Sequence, residues 1–164
     1  MMTVAVLANT CISTLLGVAP EQLDAPFGLR LGRTTIEELE DEFVITCDQG
    51  KGFTGGAIVQ VVPRYEEYGD IACMILAFDK ANVLDAAWFT LAADQYENAF
   101  NQLSGRFEFK NTNDPIKGSK SSLFVFEFGQ ITLHAPLFSK EMTLGYRTEK
   151  FNAARMASAS EAYE

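Results

Sequence analysis

Three glycines in the segment GKGFTGG have the spacing of a dinucleotide-binding fingerprint. Gly50, Gly52 and Gly55 match G-x-G-x-x-G, a motif that needs a helix immediately afterwards so that its N-terminus meets a pyrophosphate. The residues that follow are AIVQVV, which is the pattern of a strand. The sequence therefore predicts a loop or hairpin tip at this segment, and no cofactor is expected.

Cysteine and histidine offer two further kinds of chemistry. The single histidine, His134, has no second His or Cys at ligand spacing, so no metal site is expected. Cys47 could act as a nucleophile with His134 as its base, but no local signature supports that pair. Two interpretations of the cysteines stay open. Loss of an N-terminal segment with Cys11 would leave Cys47 and Cys73 as an even pair for a disulfide, whereas all three together suit buried free thiols.

The carboxylates of RYEEYGD are the remaining candidates for catalysis. Glu66, Glu67 and Asp70 lie close together in the chain, but no nucleophile elbow, phosphate loop, zinc-binding helix or catalytic carboxylate motif accompanies them. We therefore expect a protein that is not an enzyme. An enzyme with a site built from scattered carboxylates is kept as an alternative.

Composition limits the class of partner. The chain has 164 residues, of which 48% are hydrophobic, and this is enough for one domain with a substantial core. Its formal net charge of −9 would repel a phosphate backbone, so nucleic acid is not expected as a partner. A protein partner with a basic surface fits this charge.

The first 25 residues form an apolar segment that is too short and too interrupted to span a membrane. Two interpretations stay open here, a remnant of a signal peptide or a helix packed on the domain. The predicted organisation is this segment, a single domain over 26–151 and a C-terminal tail over 152–164. A periplasmic or envelope location is expected, and a cytoplasmic one is left open.

Two helices are indicated by capping boxes and apolar stripes. The first begins at Thr34 with Glu37 or at Thr35 with Glu38, and the second begins at Asp94. The first stripe recurs after 60 residues in the second helix, which ends at Gly105. The residues predicted to be buried are Ile36, Leu39, Phe43, Tyr96, Phe100 and Leu103.

Alternating apolar residues predict the strands. The predicted strands span 56–63, 71–78, 83–91, 106–110, 122–128, 130–135 and 141–147. The predicted fold class is α+β, with two helices packed on a curved, mainly antiparallel sheet that is built from two tandem helix-then-strands units.

Three stretches carry a resemblance to a known group of proteins. They are APFGLRLGRTTIEELEDEF, ILAFDKANVLDAAWFTLAADQYENAFNQLSGRF and FEFGQITLHAPLFSKEMTLGYRTEKF. The chain resembles small exported proteins of Gram-negative bacteria, and its architecture is similar to the helix-then-sheet modules of outer-membrane assembly lipoproteins and of tandem β-lactamase inhibitor proteins. The resemblance implies a protein-binding module and not an enzyme. The chain departs from the group in its N-terminus, where the basic signal region and the lipid-attachment box are missing.

The leading functional hypothesis is a non-catalytic protein-binding module of the bacterial envelope, such as an inhibitor or an immunity protein. An assembly or structural accessory at the outer membrane is the alternative. Recognition is expected to use an acidic rim together with an exposed apolar anchor in the glycine-rich loop. The predicted partner-binding residues are Glu37, Glu38, Asp41, Glu42 and Phe53.

Overall fold

The computed structural model describes residues 23–65, 71–110 and 118–162. Cys11, Glu66, Glu67 and Asp70, and most of the predicted N-terminal segment, lie outside these ranges. The strands in the described ranges are β1 Leu23–Asp24, β2 Arg30–Leu31, β3 Phe43–Lys51, β4 Gly55–Pro63, β5 Cys73–Asp79, β6 Leu84–Ala92, β7 Glu108–Lys110, β8 Lys120–Phe126, β9 Gly129–Ala135 and β10 Glu141–Thr148. The helices there are α1 Ile36–Leu39, α2 Tyr96–Ser104 and α3 Glu149–Glu161.

Eight of the strands form one antiparallel sheet in the order β3-β4-β5-β6-β10-β9-β8-β7. The order consists of two four-stranded meanders that meet where β6 pairs with β10. Helix α1 precedes the first meander and α2 precedes the second. The predicted α+β class with two tandem helix-then-strands units is therefore confirmed. The pair β1-β2 forms a separate small ribbon.

One face of the sheet carries the main core and is called the covered face here. Phe89 lies at its centre, fully buried between the rings of Phe27 and Tyr146 at centroid distances of 5.9 and 6.0 Å. The segment before β3 and helix α2 pack over this face with Leu31, Leu39, Ala99 and Leu103 among their buried side chains. Burial of this apolar area is the main driving force for the fold.

Helix α1 is shorter than the sequence indicates. Its capping box is formed by Thr35, whose Oγ1 accepts from the Glu38 N–H while the Thr35 N–H donates to the Glu38 carboxylate. The helix ends at Leu39 after one turn, and Phe43 begins strand β3 opposite Pro63. The prediction that Phe43 belongs to the apolar stripe of this helix is thus wrong. Phe43 fits the i+7 position of a helix, but it is the first buried residue of strand β3. No strand was predicted over β3.

Helix α2 begins in a different way from its prediction. A 3-10 turn at Ala93–Gln95 leads into it, and no side chain caps its N-terminus, so the predicted cap at Asp94 is wrong. The stripe itself is confirmed, since Tyr96, Ala99 and Leu103 are buried. Phe100 on α2 is only half-buried, and so is Ile36 on α1.

Helix α3 crosses the predicted boundary between the domain and its tail. Thr148 caps it, accepting from the Phe151 N–H at 3.1 Å and donating to the Asp85 carboxylate at 3.1 Å. Lys150 forms an ion pair with Asp79, the last residue of β5. These contacts fix the start of α3 against the first meander. Among the described helices, none is long and apolar enough to span a membrane.

The Asp79–Lys150 pair predicts a loss of stability in acid. Burial alone would raise the pKa of Asp79, but hydrogen bonds from Lys150 and from the N–H groups of Val83 and Ala81 outweigh it and lower the pKa below the usual 3.8. A carboxylate with a lowered pKa stabilises the fold at pH above its unfolded value, and this stabilisation disappears as the pH falls through the folded value.

We expect Asp79→Asn to be less stable than the wild type at neutral pH, and the difference to shrink below about pH 4. Chemical denaturation from pH 7 to pH 2 would measure it. Lys150→Met is the matched control, because it removes the charged partner and leaves the two backbone hydrogen bonds. The difference in the free energy of unfolding between Lys150→Met and wild type should also shrink in acid. A difference between Asp79→Asn and wild type that stays constant down to pH 2 would contradict the prediction.

Candidate binding face

The second face of the sheet, called the open face here, carries polar and small side chains together with larger apolar ones, in rows across the strands. Residues that are directly opposite each other in an antiparallel ladder share a face. One row therefore runs from Thr90 through Thr143 and His134 to Ser121. The next runs through Gln60, Ile75, Trp88, Gly145 and Thr132. Most of these side chains are half-buried, and His134 is exposed.

Helix α3 covers one end of the open face. Phe151, which is only 1% exposed, packs edge-on to Trp88 at 5.6 Å and lies with Ala77 and Ala86 in a small second core. The alanines are short enough to let the helix approach the sheet. Trp88 thus stands at the border between the part of the open face under α3 and the part that is accessible.

Gly145 determines where the Trp88 ring lies. A Cβ at this position would be 3.0 Å from Cδ1 of Trp88 and 2.8 Å from Oγ1 of Thr132. The indole therefore lies directly over the backbone of β10. This close approach explains why a glycine in a central strand is tolerated despite its conformational cost.

The acidic residues predicted to bind a partner are exposed, and two of them form an acidic turn directly before an apolar corner of the open face. Glu37 and Glu38 are on α1, and Asp41 and Glu42 are in the turn that leads into β3. Just after this turn, Val44 is paired with Val62 of the neighbouring strand, and the two residues are 39% and 42% exposed. Sequence reasoning missed this valine pair, because no strand was predicted at Val44.

Phe53 lies at the opposite end of the β3–β4 hairpin. It is 52% exposed, and its ring packs edge-on to Phe151 at 5.7 Å. Strand β3 lies between Phe53 and the acidic turn. The length of this strand is roughly 25 Å at the usual rise per residue. The structure therefore does not bring Phe53 together with the acidic residues. The loop itself is the hairpin tip that the sequence indicates, between β3 and β4.

Both described cysteines are free thiols. Cys47 lies on β3 and Cys73 on β5, with β4 between them. The two cysteines are therefore separated by two strand spacings, or about 10 Å. A disulfide requires a Cα separation below about 7 Å. The possible disulfide between Cys47 and Cys73 is therefore not formed, because the two residues are on strands that are not neighbours. The alternative of buried thiols is also wrong for Cys47, which is exposed.

The described residues contain no group of three His, Cys, Asp or Glu side chains that could hold a metal ion. A cavity of about 20 Å³ lies between Asp24, Gln102, Arg106 and Tyr146 on the covered side. It has room for about one water molecule and is too small for an organic substrate. Burial raises the pKa of Tyr146, so its phenol is neutral and packs in the core.

Comparison of the chain with protein-family models, with curated proteins and with solved structures found no match. The resemblance to small exported proteins of Gram-negative bacteria remains a prediction from the sequence.

The contact between Gly145 and Trp88 gives a prediction that the only tryptophan of the chain can report. Gly145→Ala should push the indole away from β10, destabilise the protein by about 1–3 kcal/mol and shift the fluorescence emission to longer wavelength. Urea denaturation followed by tryptophan fluorescence measures both effects.

Gly105→Ala is the matched control, because its Cβ would meet no atom closer than 3.7 Å and its backbone is helical. It should leave the emission unchanged and change the stability by less than about 1 kcal/mol. Equal behaviour of the two variants would show that Trp88 does not lie over Gly145.

Proposed function

We propose that this protein is a non-catalytic protein-binding module whose partner docks on the open face of the sheet. The observation that carries the proposal is the apolar corner at Val44 and Val62, which is exposed on the same face as Trp88 and lies directly beside the acidic turn. Apolar side chains bordered by charged ones are the usual composition of a protein interface.

The shape of the open face favours a protein over a small molecule as the ligand. Small ligands bind in concave pockets of several hundred Å³. The open face instead presents half-buried hydroxyl, amide and indole groups across neighbouring strands, including Thr90, Thr143 and Trp88. A broad surface of this kind suits the large contact area of a protein complex.

The acidic turn supports a partner with basic side chains near the apolar corner. Exposed carboxylates at the rim of an interface mainly raise the association rate and define the partner's orientation. Their effect falls with added salt because the Debye length shortens. An inhibitor or immunity protein of the bacterial envelope is the proposed biological role, and the envelope location rests on the resemblance to exported proteins.

The partner is proposed to lie on the face and not to extend the sheet at β3. The ladder between β3 and β4 shifts register twice, between Ile45 and Cys47 and between Asp48 and Lys51. Such bulges twist an edge strand and interrupt the even row of backbone groups that an added strand would need. The exposed side chains of Val44 and Val62 remain available on the face.

The proposal predicts where the partner touches the protein. A photo-crosslinking amino acid in place of Thr143, on the accessible part of the open face, should give an adduct of defined mass in the native cell. The same amino acid in place of Ser104, which is exposed on α2, should give none. Mass spectrometry of the adduct would identify the partner.

With the partner identified, Val62→Asp should weaken binding at least tenfold, because it places a charge in the buried part of the interface. Added salt should slow association with the wild-type protein. Equal crosslinking at Thr143 and Ser104, or full affinity of a folded Val62→Asp variant, would contradict the open face as the binding surface.

A further inference from the structure

Two arginines belong to the region where α3 packs on the open face. Arg147 on β10 is half-buried, and its neighbours across the ladder are Ala86 and Gln130, which carry no charge. Arg155 on α3 is also half-buried. Arg155 lies four residues after Phe151 and therefore on the side of α3 that packs on the open face, the face to which Arg147 also belongs. Burial lowers the pKa of Arg147, and the positive charge of Arg155 lowers it further.

Neither arginine has a countercharge among the described residues. The ion pairs formed there involve Arg30, Lys110, Lys120 and Lys150. The Nε atoms of both Arg147 and Arg155 are buried and have no hydrogen-bond partner in the described part of the chain. A buried donor without a partner costs about 1–3 kcal/mol, and more when it is charged.

The two buried carboxylates of β5 and β6 have partners other than the arginines. Asp79 accepts from Lys150, and Asp85 accepts from Thr148 through Oδ1, while its Oδ2 has no hydrogen-bond partner among the described residues. The charge of Asp85 acts on Lys150, whose pKa is raised first by its hydrogen bond to Asp79. The arginine pair is therefore a local surplus of positive charge in a chain whose net charge is −9.

Asn152 adds an independent observation. It is only 6% exposed, and both polar atoms of its side chain are buried without a hydrogen-bond partner among the described residues. It lies three residues before Arg155 and therefore on the same side of α3. Its amide Nδ2 is a third buried donor without a partner among the described residues.

We propose that Arg147, Arg155 and Asn152 form a binding site for an oxyanion, namely a carboxylate or phosphate group. An oxyanion accepts several hydrogen bonds at once, and arginine binds it with a planar fork of donors. One such group would neutralise the like charges and accept hydrogen bonds from the two guanidinium groups. The site goes beyond the proposed function and does not depend on it, because it can be tested on the free protein.

Nuclear magnetic resonance of the arginine Nε–H groups tests the site directly. Sodium acetate and sodium phosphate are titrated into the wild-type protein at constant ionic strength, with sodium chloride as the reference. We expect saturable shifts of the Arg147 and Arg155 signals with acetate, phosphate or both, and no saturable shift with chloride. The stronger of the two oxyanions identifies which chemical group the site takes.

Variants at Arg155 separate binding from a structural role. Arg155→Gln should abolish the saturable shift of Arg147, and Arg155→Lys should weaken it, because lysine keeps the charge and loses the fork. Without an oxyanion, Arg155→Gln should melt at the same temperature as wild type or higher, since it removes a like charge. The matched control is Arg64→Gln, because the Nε of Arg64 already donates to the Glu40 carbonyl. It should keep the full response.

Three results would overturn the proposal. The first is no saturable shift with either oxyanion. The second is a shift of Arg147 that survives in Arg155→Gln. The third is a lower melting temperature of Arg155→Gln in chloride, with no extra stabilisation of wild type by oxyanions, which would assign Arg155 a purely structural role.

Discussion

The pairing of β6 with β10 is the interaction on which the rest of the structure depends. It joins two four-stranded meanders into one sheet over seven registered pairs, from Ala92 opposite Glu141 to Ala86 opposite Arg147. In this register Phe89 and Leu144 lie side by side on the covered face. A slip by one residue would turn every side chain of one strand to the other face. Tyr146 would then leave the core and Arg147 would enter it, so the core holds this register firmly.

The same alternation that builds the core also builds the open face. Phe89 and Leu144 point to the covered side, and Trp88 and Gly145, which are their neighbours in the chain, point to the open side. The burial of Phe89 and Leu144 therefore sets the side of the sheet on which Trp88 lies, and the absence of a side chain at Gly145 leaves room for its ring. Helix α3 is held at one end of this face by its cap at Thr148 and by Phe151, so the accessible area is limited by the fold itself.

Local patterns predicted most of the fold, and long-range pairing set the rest. Strands such as β4 and β10 alternate clearly, and seven of the strands were found at nearly the right positions. Strand β3 was missed because a good capping box at Thr35 and an apolar residue at Phe43 fit a helix as well as a turn followed by a strand. The pairing of β6 with β10 joins segments about 55 residues apart, and nothing in either segment specifies it. The two arginines were missed for a similar reason, since Arg147 lies on a strand and Arg155 on a helix, and they belong to one region only because α3 folds back on the sheet.

The charges around the open face are separated in a way that restricts what can dock there. The acidic turn lies beside Val44 and Val62 at one corner, and the two arginines belong to the other end, where α3 packs on the sheet. Three strand spacings and four residues along β10 separate Val62 from Arg147, which is roughly 20 Å. This distance exceeds the Debye length of about 8 Å at physiological salt, so the two charged regions act on a ligand independently. A partner that satisfied both would carry basic side chains at one end of its contact surface and an acidic or phosphorylated group at the other. A partner of uniform charge would be attracted at one end and repelled at the other. The two ends together would therefore select both the partner and its orientation.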